Sequence, residues 1–220
     1  RIGCGRKACV GVSKLRQQRA GQNECCKTYL RLYRHTVLES GKNTGDSGTG
    51  AASLRRDDES MYFSEIKECD IANGPGVRVT VFVSGCTHHC NGCFNEMTWD
   101  SQYGREFTKE DMEKIIKLLE PSYIAGLTLL GGEPMEFVNQ QGLLPLLRRV
   151  KEQYPDKTIW CYTGYLYDRD ILDDFCGKWE ETRELLSYLD VIVDGEFVEA
   201  QKDISLRFRG SENQRLIDLP

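Results

Sequence analysis

From residue 61 onward, short apolar runs alternate with amphipathic segments. Residues 77–85 alternate valine with other residues and end in a Ser-Gly turn, a pattern typical of a β-strand. Residues 125–134 form a continuous apolar run that leads into glycines, which is typical of a buried strand. The pattern predicts two more strands, at residues 157–164 and 190–197.

Three segments between or near these strands indicate helices. Residues 107–121 begin with Thr108 as an N-cap, have an acidic residue three positions later, and place apolar residues on one face. Residues 142–155 predict a second helix, in which Pro145 is tolerated only in the first turn. Residues 182–189 predict a third helix.

Strands that alternate with helices predict an α/β fold built on a parallel sheet with both faces covered. There are too few strand–helix units for a closed eight-stranded barrel, so we expect an open partial (β/α) barrel. In such sheets the chemistry collects at the C-terminal ends of the strands. The turns at these predicted ends contain Gly85, Gly131, Gly132, Gly164, Asp194 and Gly195.

Residues 1–60 differ in composition from the rest of the chain. They carry 12 Lys and Arg against 6 Asp and Glu, whereas residues 61–220 carry 17 against 28. Residues 25–39 are compatible with one helix, and residues 40–53 have the Gly- and Ser-rich composition of a flexible linker. We therefore expect an N-terminal extension over residues 1–60, largely disordered or not native to the functional protein, and one domain over residues 61–220.

The extension has two further interpretations. Its basic face could bind nucleic acid or an acidic partner, and its cysteines could form a second metal site. No C-x2-C pair supports that metal site, and an extension without a binding role is the favoured interpretation, so we expect no nucleic-acid partner. The cysteines concerned are Cys4, Cys9, Cys25 and Cys26.

Composition excludes several classes of protein. Hydrophobic residues make up 40% of the 220 residues and charged residues 29%, which is ordinary for a soluble globular protein. No run of about 18 apolar residues indicates a membrane span, and the N-terminus lacks the apolar segment of a secretory signal. The ten cysteines are scattered over a chain too large for a disulfide miniprotein, so we expect reduced thiols and a cytoplasmic location.

Three cysteines lie close together directly after the first predicted strand. The spacing C-x3-C-x2-C is formed by Cys86, Cys90 and Cys93. A cubane [4Fe–4S] cluster is normally held by four cysteines, so three would leave one iron open to another ligand. Two alternatives stay open: a zinc site completed by His88 or His89, and a group of buried free thiols.

This spacing, followed by an aromatic residue, resembles the signature of the radical S-adenosylmethionine superfamily, and Gly-Gly-Glu-Pro at residues 131–134 resembles its second motif. In that superfamily the open iron is chelated by the amino and carboxylate groups of the methionine part of S-adenosylmethionine. The resemblance implies that the iron ligands are Cys86, Cys90 and Cys93. The implied S-adenosylmethionine contacts are Gly92, Cys93, Phe94, Gly131, Gly132, Glu133 and Pro134.

Four further stretches narrow the resemblance. They are similar to stretches of the activating proteins of the anaerobic ribonucleoside-triphosphate reductases. The four stretches are NGPGVR at residues 73–78, CNGCFNEMTWD at 90–100, IWCYTGY at 159–165 and SLRFRGSENQR at 205–215. Those proteins are activases of glycyl-radical enzymes. The resemblance extends from Met61 to the C-terminus, and this suggests that Met61 is the natural start.

The resemblance implies an enzyme that reductively cleaves S-adenosylmethionine to methionine and a 5′-deoxyadenosyl radical, which takes a hydrogen atom from a glycine of the reductase. The protein's own task would be orientation, redox tuning and shielding. The implied partners are the large subunit of the anaerobic ribonucleoside-triphosphate reductase and a small electron-donor protein, with no membrane partner. The alternatives are another small radical enzyme that acts on a free small molecule, and a zinc-binding interaction module.

Several other residues have two interpretations. For Trp160 and Tyr162, which alternate along a strand, core packing is favoured over stacking on a ligand. Asp194 is compatible with a ribose contact or with closing the turn before Gly195. Three arginines near the C-terminus have two interpretations: they bind a partner or a cofactor carboxylate, or they are solvated charges without a binding role. They are Arg207, Arg209 and Arg215. The isolated cysteines expected to be buried thiols are Cys69, Cys161 and Cys176.

Overall fold

A seven-stranded sheet organises residues 60–220, the part of the chain that the computed structural model describes. The strands are β1 (Tyr62–Asp70), β2 (Val77–Val83), β3 (Arg105–Glu106), β4 (Ile124–Gly131), β5 (Thr158–Tyr162), β6 (Val191–Asp194) and β7 (Arg215–Asp218). Their order across the sheet is β3-β1-β2-β4-β5-β6-β7. The helix predicted at residues 25–39 and the linker predicted at residues 40–53 lie outside the described residues.

The centre of the sheet is parallel and its edges are antiparallel. Strands β2, β4, β5 and β6 run parallel, in a register that aligns Val81 with Leu129, Cys161 and Ile192. These are the four predicted strands, and their C-terminal ends meet at one edge. The expected parallel sheet is confirmed for these four strands, but the whole sheet is mixed, because β1, β3 and β7 pair antiparallel. Residues 71–76 between β1 and β2 are too short for a crossover connection, so these strands form a hairpin.

The helices follow the predicted order along the chain. They are α1 (Lys109–Leu119), α2 (Phe137–Gln153) and α3 (Glu180–Tyr188). A π-helical segment, Tyr167–Phe175, runs into one α-helical turn at Cys176–Lys178 and was not predicted. Within residues 60–220, no helix combines the length and the apolar character needed to cross a bilayer.

Helix α2 begins earlier than predicted. It starts at Phe137 rather than at residue 142, so Pro145 lies inside the helix instead of in its first turn. Proline removes the hydrogen bond to the carbonyl of Gln141, four residues earlier. Both residues are exposed, so water can serve as a partner for that carbonyl. The position of Pro145 on the solvent face explains why the helix tolerates it.

The main core lies between the helices and one face of the sheet. Its strand residues include Val81, Leu129, Ile159 and Ile192, and its helix residues include Ile115, Leu119, Leu143, Leu147 and Leu185. The opposite face of the sheet has a different character. It buries polar side chains, among them Arg78, Thr80 and Thr128, next to a small apolar cluster of Trp160, Val191 and Val193.

A reciprocal cap fixes the first turn of α1, as predicted. The Thr108 hydroxyl accepts a hydrogen bond from the Asp111 backbone N–H at 3.4 Å, and the Asp111 carboxylate accepts one from the Thr108 backbone N–H at 3.0 Å. Thr108→Ala is expected to lower the free energy of unfolding by about 1 kcal/mol in urea denaturation, because one N–H loses its partner. Thr108→Ser keeps the hydroxyl and is the control. Equal stability of the two variants would contradict this role.

Candidate metal centre

The three cysteines lie on a loop that follows β2, which we call the cysteine loop (residues 85–95). Two backbone hydrogen bonds close its base, from Gly85 N to Thr98 O at 2.8 Å and from Cys86 N to Trp99 O at 3.3 Å. Inside the loop, Cys93 N donates to Cys90 O at 3.2 Å, and Gly92, the second of the two residues between them, has a φ of +72°. Glycine adopts that conformation readily, so the chain turns sharply before the third thiol.

A backbone N–H group donates a hydrogen bond to one of the three cysteine sulfurs. The Asn95 N–H lies 3.4 Å from Cys93 Sγ. Neighbouring backbone N–H groups partly offset the increase that burial causes in the pKa of Cys86 and of Cys90. Hydrogen bonds to sulfur are one way in which a protein tunes an iron–sulfur cluster. The Cys93 thiol therefore already has this feature of a cluster ligand.

The cysteine loop and the turn after β4 border one cavity of about 200 Å³. Among the predicted site residues, those that line it are Cys86, Cys90, Cys93, Phe94, Gly131, Gly132 and Glu133. Gly92 and Pro134 are not among the lining residues: Pro134 is buried, and Gly92 lies where an added Cβ would be 3.0 Å from the Glu199 carboxyl carbon. The structure thus brings together most of two motifs that are about 40 residues apart in the chain.

The arrangement of the thiols fits a multi-iron cluster. Among the residues that the structure describes, no three His, Cys, Asp or Glu side chains converge as ligands of a single metal ion. The thiols border a volume instead, and the cysteines of a [4Fe–4S] cluster bind different irons. The cavity also has two buried polar atoms without a hydrogen-bond partner in residues 60–220, the Tyr162 hydroxyl and Trp99 Nε1. Buried polar atoms normally have a hydrogen-bond partner, so these two atoms are exceptions within the described residues.

Burial governs the protonation of the thiols. Burial raises the pKa of Cys86 to about 11, and the negative charge of Glu133 adds to that increase. Burial also raises the pKa of Cys90. Since iron binds thiolates, loading of the site releases protons.

The two glycines at the end of β4 are required because the backbone of the cysteine loop lies directly against them. Gly132 N donates to Val83 O at 2.7 Å, and Glu133 N donates to Gly85 O at 2.8 Å. A Cβ on Gly132 would lie 2.5 Å from Gly85 O. Gly131 has a φ of +116°, and a Cβ there would lie 2.6 Å from Val83 O. Both positions therefore exclude a side chain, because the turn lies directly against the base of the loop.

Neither histidine of the cysteine loop is arranged as a fourth ligand. His88 Nε2 lies 3.1 Å from Glu133 Oε2, and His88 Nδ1 lies 2.9 Å from Glu196 Oε1. Burial lowers the pKa of His88, but hydrogen bonds to these two carboxylates and their negative charges outweigh it and raise the pKa to about 9. The ring of His89 stacks on Trp99 with 4.6 Å between centroids.

Glu133 is occupied by donors from the protein itself. Its side chain is 1% exposed. Oε1 accepts from Met135 N at 2.8 Å, and Oε2 accepts from Gly164 N at 2.7 Å in addition to its contact with His88. The carboxylate therefore ties the ends of β4 and β5 to the cysteine loop.

A second set of hydrogen bonds between the cysteine loop and the segments after β4 and β5 was not predicted from the sequence. Thr87 Oγ1 donates to Glu136 Oε1 at 2.6 Å, and the Tyr165 hydroxyl lies 3.3 Å from the same oxygen. The acidic residue Glu196 after β6 was missed as well. No local pattern identifies these contacts, because the partners are brought together only by the order of the strands.

Most of the remaining candidate residues make their contacts within the fold. Trp160 packs in the core with 5.5 Å between its ring centroid and that of Phe208, as predicted. Asp194 is fully buried, accepts from Tyr167 N at 2.8 Å and pairs with Arg215. Arg215 also contacts Asp168 at 3.1 Å, so its charge is used within the fold.

Two surface arginines and the isolated cysteines complete the picture. Arg209 donates to Gln214 O at 2.8 Å, and the Arg207 guanidinium lies 5.7 Å from the centroid of the Phe208 ring. Cys161 and Cys176 are buried, as expected. The prediction for Cys69 was wrong, because it is exposed near the end of the edge-side strand β1, most of whose second half faces solvent.

Comparison with known proteins agrees with this geometry. A family described as a 4Fe-4S single cluster domain matches residues 72–217. A protein of Vibrio cholerae is 44% identical over 156 residues, which are 70% of this chain and 96% of the relative. A protein of Enterobacteria phage T4 is 41% identical over 160 residues, 71% of this chain and 93% of the relative. A protein of Escherichia coli K12 is 40% identical over 156 residues, again 70% and 96%. All three are named anaerobic ribonucleoside-triphosphate reductase-activating protein.

Proposed function

The chain belongs to the family of the anaerobic ribonucleoside-triphosphate reductase-activating proteins, and we propose that it is an iron–sulfur enzyme that activates this reductase. We infer further that activation is the formation of a glycyl radical on the large subunit of the reductase. In this proposal, S-adenosylmethionine is cleaved reductively to methionine and a 5′-deoxyadenosyl radical, and that radical takes a hydrogen atom from the glycine. The chain would thus be a radical S-adenosylmethionine enzyme.

One observation carries the proposal: the three cysteine thiols and the Gly131–Gly132 turn line the same cavity. A cluster with three protein ligands leaves one iron free for another molecule. The glycine turn borders the same volume, so a ligand of that iron would touch both motifs. A zinc-binding interaction module has no need for this second motif beside its thiols.

We assign the cluster to Cys86, Cys90 and Cys93. When bound, a [4Fe–4S] cluster supplies the single electron that the cleavage of a sulfonium needs. The protein's part is to hold three thiolates, to donate backbone N–H groups to their sulfurs, and to limit the access of water. The cysteines are only partly exposed, which serves that last purpose.

We assign the S-adenosylmethionine site to the same cavity. The methionine end would lie against Gly131 and Gly132, and Phe94 would offer its ring near the adenine. Phe94 is 71% exposed and lies 5.8 Å from the Phe197 ring, with Lys202 Nζ 4.8 Å above its face. Because the carboxylate of Glu133 is occupied by protein donors, we assign it the task of holding the turn in place. Pro134 and Gly92 would support these contacts from outside the cavity.

The exposed rim of the cavity is the surface that we propose for docking the reductase. Phe94 and the nearby Met97 are 71% and 60% exposed. Exposed large apolar side chains beside a reactive site indicate a protein partner. The glycine of that partner must come close to the cavity, so the docked surface has to include its rim. A small electron-donor protein completes the proposed set of partners.

Two finer parts of the prediction belong to this proposal. The parallel strands β2, β4, β5 and β6 would form the wall of an open partial barrel around the cavity. Within residues 60–220, the free thiols include Cys69, Cys86, Cys90, Cys93 and Cys161, which supports a reducing location such as the cytoplasm.

The test is a reconstitution under anaerobic conditions. The chain is incubated with a reductant, S-adenosylmethionine and an anaerobic ribonucleoside-triphosphate reductase, and the mixture is examined by EPR. We expect a glycyl-radical doublet on the large subunit and formation of 5′-deoxyadenosine, and neither with Cys93→Ala. If 5′-deoxyadenosine forms only after an unrelated small molecule is added, the chain is instead a radical enzyme with a free substrate.

A further inference from the structure

The side chain of His88 connects the cysteine loop to the ends of two other strands. One ring nitrogen lies 3.1 Å from Glu133, two residues after the end of β4, and the other lies 2.9 Å from Glu196, two residues after the end of β6. The side chain is only 8% exposed. Both ring nitrogens are thus occupied, so the ring has no nitrogen left for a metal.

The fold provides a fitted space for this ring. A Cβ on Gly164 would lie 2.6 Å from both Cδ2 and Nε2 of His88. The Tyr165 ring packs edge-on against the imidazole, with 4.4 Å between centroids. The segment after β5 therefore leaves room for the histidine on one side and holds it on the other.

The inner partner of His88 is rigidly held. Glu133 is 1% exposed, and its two oxygens also accept N–H groups of Met135 and Gly164. It directly follows the Gly131–Gly132 turn. His88 is two residues from Cys86 and two residues from Cys90, so an anchor at His88 limits the movement of both thiols relative to that turn.

We propose that His88 is a positioning residue that sets the distance between the cysteine thiols and the Gly131–Gly132 turn by bridging Glu133 and Glu196. This inference rests on the proposed function, since the distance matters only if one ligand touches both motifs. Without the bridge, the three thiols still bind iron, but S-adenosylmethionine no longer meets the open iron and the turn together. The bridge therefore acts on binding of S-adenosylmethionine more than on binding of the cluster.

The experiment compares His88→Asn with His89→Asn in anaerobically reconstituted full-length protein. Asparagine is too short to reach both carboxylates, and it tolerates the φ of +51° at His89. We expect His88→Asn to keep the iron and sulfide content of the parent, to bind S-adenosylmethionine about tenfold more weakly in equilibrium dialysis, and to lose the change in the EPR spectrum of the reduced cluster on addition of S-adenosylmethionine. His89→Asn should match the parent in all three measurements.

A conservative variant separates positioning from a general loss of packing. His88→Gln keeps a donor that can reach Glu133, and it should recover part of the affinity. If His88→Asn does not fold, Glu196→Gln weakens only the outer contact, at a carboxylate that is 57% exposed, and should show a smaller loss in the same direction. Affinity for S-adenosylmethionine within twofold of the parent in the folded His88 variant, or in Glu196→Gln if that variant has to be used, overturns the proposal.

A measurement without S-adenosylmethionine keeps this inference separate from the proposed function. Hydrogen exchange of the metal-free protein reports on the bridge directly. The amides of Cys93, inside the loop, and Gly164, bonded to Glu133, should exchange faster in His88→Asn than in His89→Asn. Unchanged exchange refutes the bridge even if the parent binds S-adenosylmethionine. Faster exchange in a parent that binds no S-adenosylmethionine would refute the proposed function and leave the bridge standing.

Discussion

Replacing Cys90 with alanine is expected to abolish both binding of the cluster and activation of the reductase. Only two thiols would remain, and a cluster with only two cysteine ligands is not bound stably. We expect the iron content to fall from about four per chain to near zero, together with loss of the visible absorbance and of the glycyl-radical signal. Iron and acid-labile sulfide analysis of anaerobically reconstituted protein measures the first effect, and EPR measures the second.

The matched control is Cys69→Ala. This thiol is exposed on β1 and is not among the residues that line the cavity. Its removal should leave iron, sulfide and activation at the level of the parent. A Cys90→Ala variant with its full complement of iron would contradict the assignment of ligands. One zinc per chain and no sulfide in the parent would contradict the cluster itself.

The interior strands were predictable from the sequence because their burial is uniform. Strand β2 is buried at six of its seven positions, and β6 at all four. A strand between two others has to bury nearly every residue, so β6 appears as an apolar run. Strand β2 was predicted from its alternating valines instead, because its second face buries Arg78 and Thr80. The edge-side strand β1 carries Glu65, Lys67 and Glu68 in its exposed part. Charged residues conceal a strand pattern, and this is why β1 was missed.

Helix boundaries depended on contacts that the sequence does not show. Helix α2 extends back to Phe137 because its first turns bury polar side chains with specific partners. Asn139 Nδ2 donates to Ser84 O at 2.9 Å, and the Gln140 amide oxygen accepts from the Thr182 hydroxyl at 2.7 Å. Hydrophobic periodicity assigns polar residues such as Asn139 and Gln140 to the solvent-facing side of a helix. The predicted helix therefore began only where the leucines begin.

The candidate site divides in the same way between local and long-range information. The thiols and the glycine turn were predictable, because each belongs to a short motif at the end of a predicted strand. The bridge of His88 was not predictable, since Glu196 is 108 positions away along the chain. That pairing exists because β2, β4, β5 and β6 are neighbours in the sheet, and strand order is a property of the whole fold.

On the other face of the sheet, Arg78 forms hydrogen bonds with residues that are distant in the sequence. This fully buried side chain donates five hydrogen bonds, to the hydroxyls of Thr128 and Thr158 and to the carbonyls of Pro75, Leu127 and Thr158. Burial lowers the pKa of Arg78 to about 10, although the neighbouring negative groups oppose that shift. The guanidinium thus stays charged at neutral pH. It connects β2, which leads into the cysteine loop, to β4, which ends in the glycine turn, and to β5.

Arg78→Met is therefore expected to cost about 3 kcal/mol or more of the free energy of unfolding. Methionine fills much of the volume, but it leaves several buried acceptors without donors. Urea denaturation should show a lower midpoint, whereas Arg149→Met, at a solvent-facing ion pair with Glu113, should leave the midpoint unchanged. Below the unfolding transition, Arg78→Met should still bind iron, because no contact of Arg78 reaches a cysteine. A stable Arg78→Met protein without iron would reverse this assignment and place Arg78 in the function of the site.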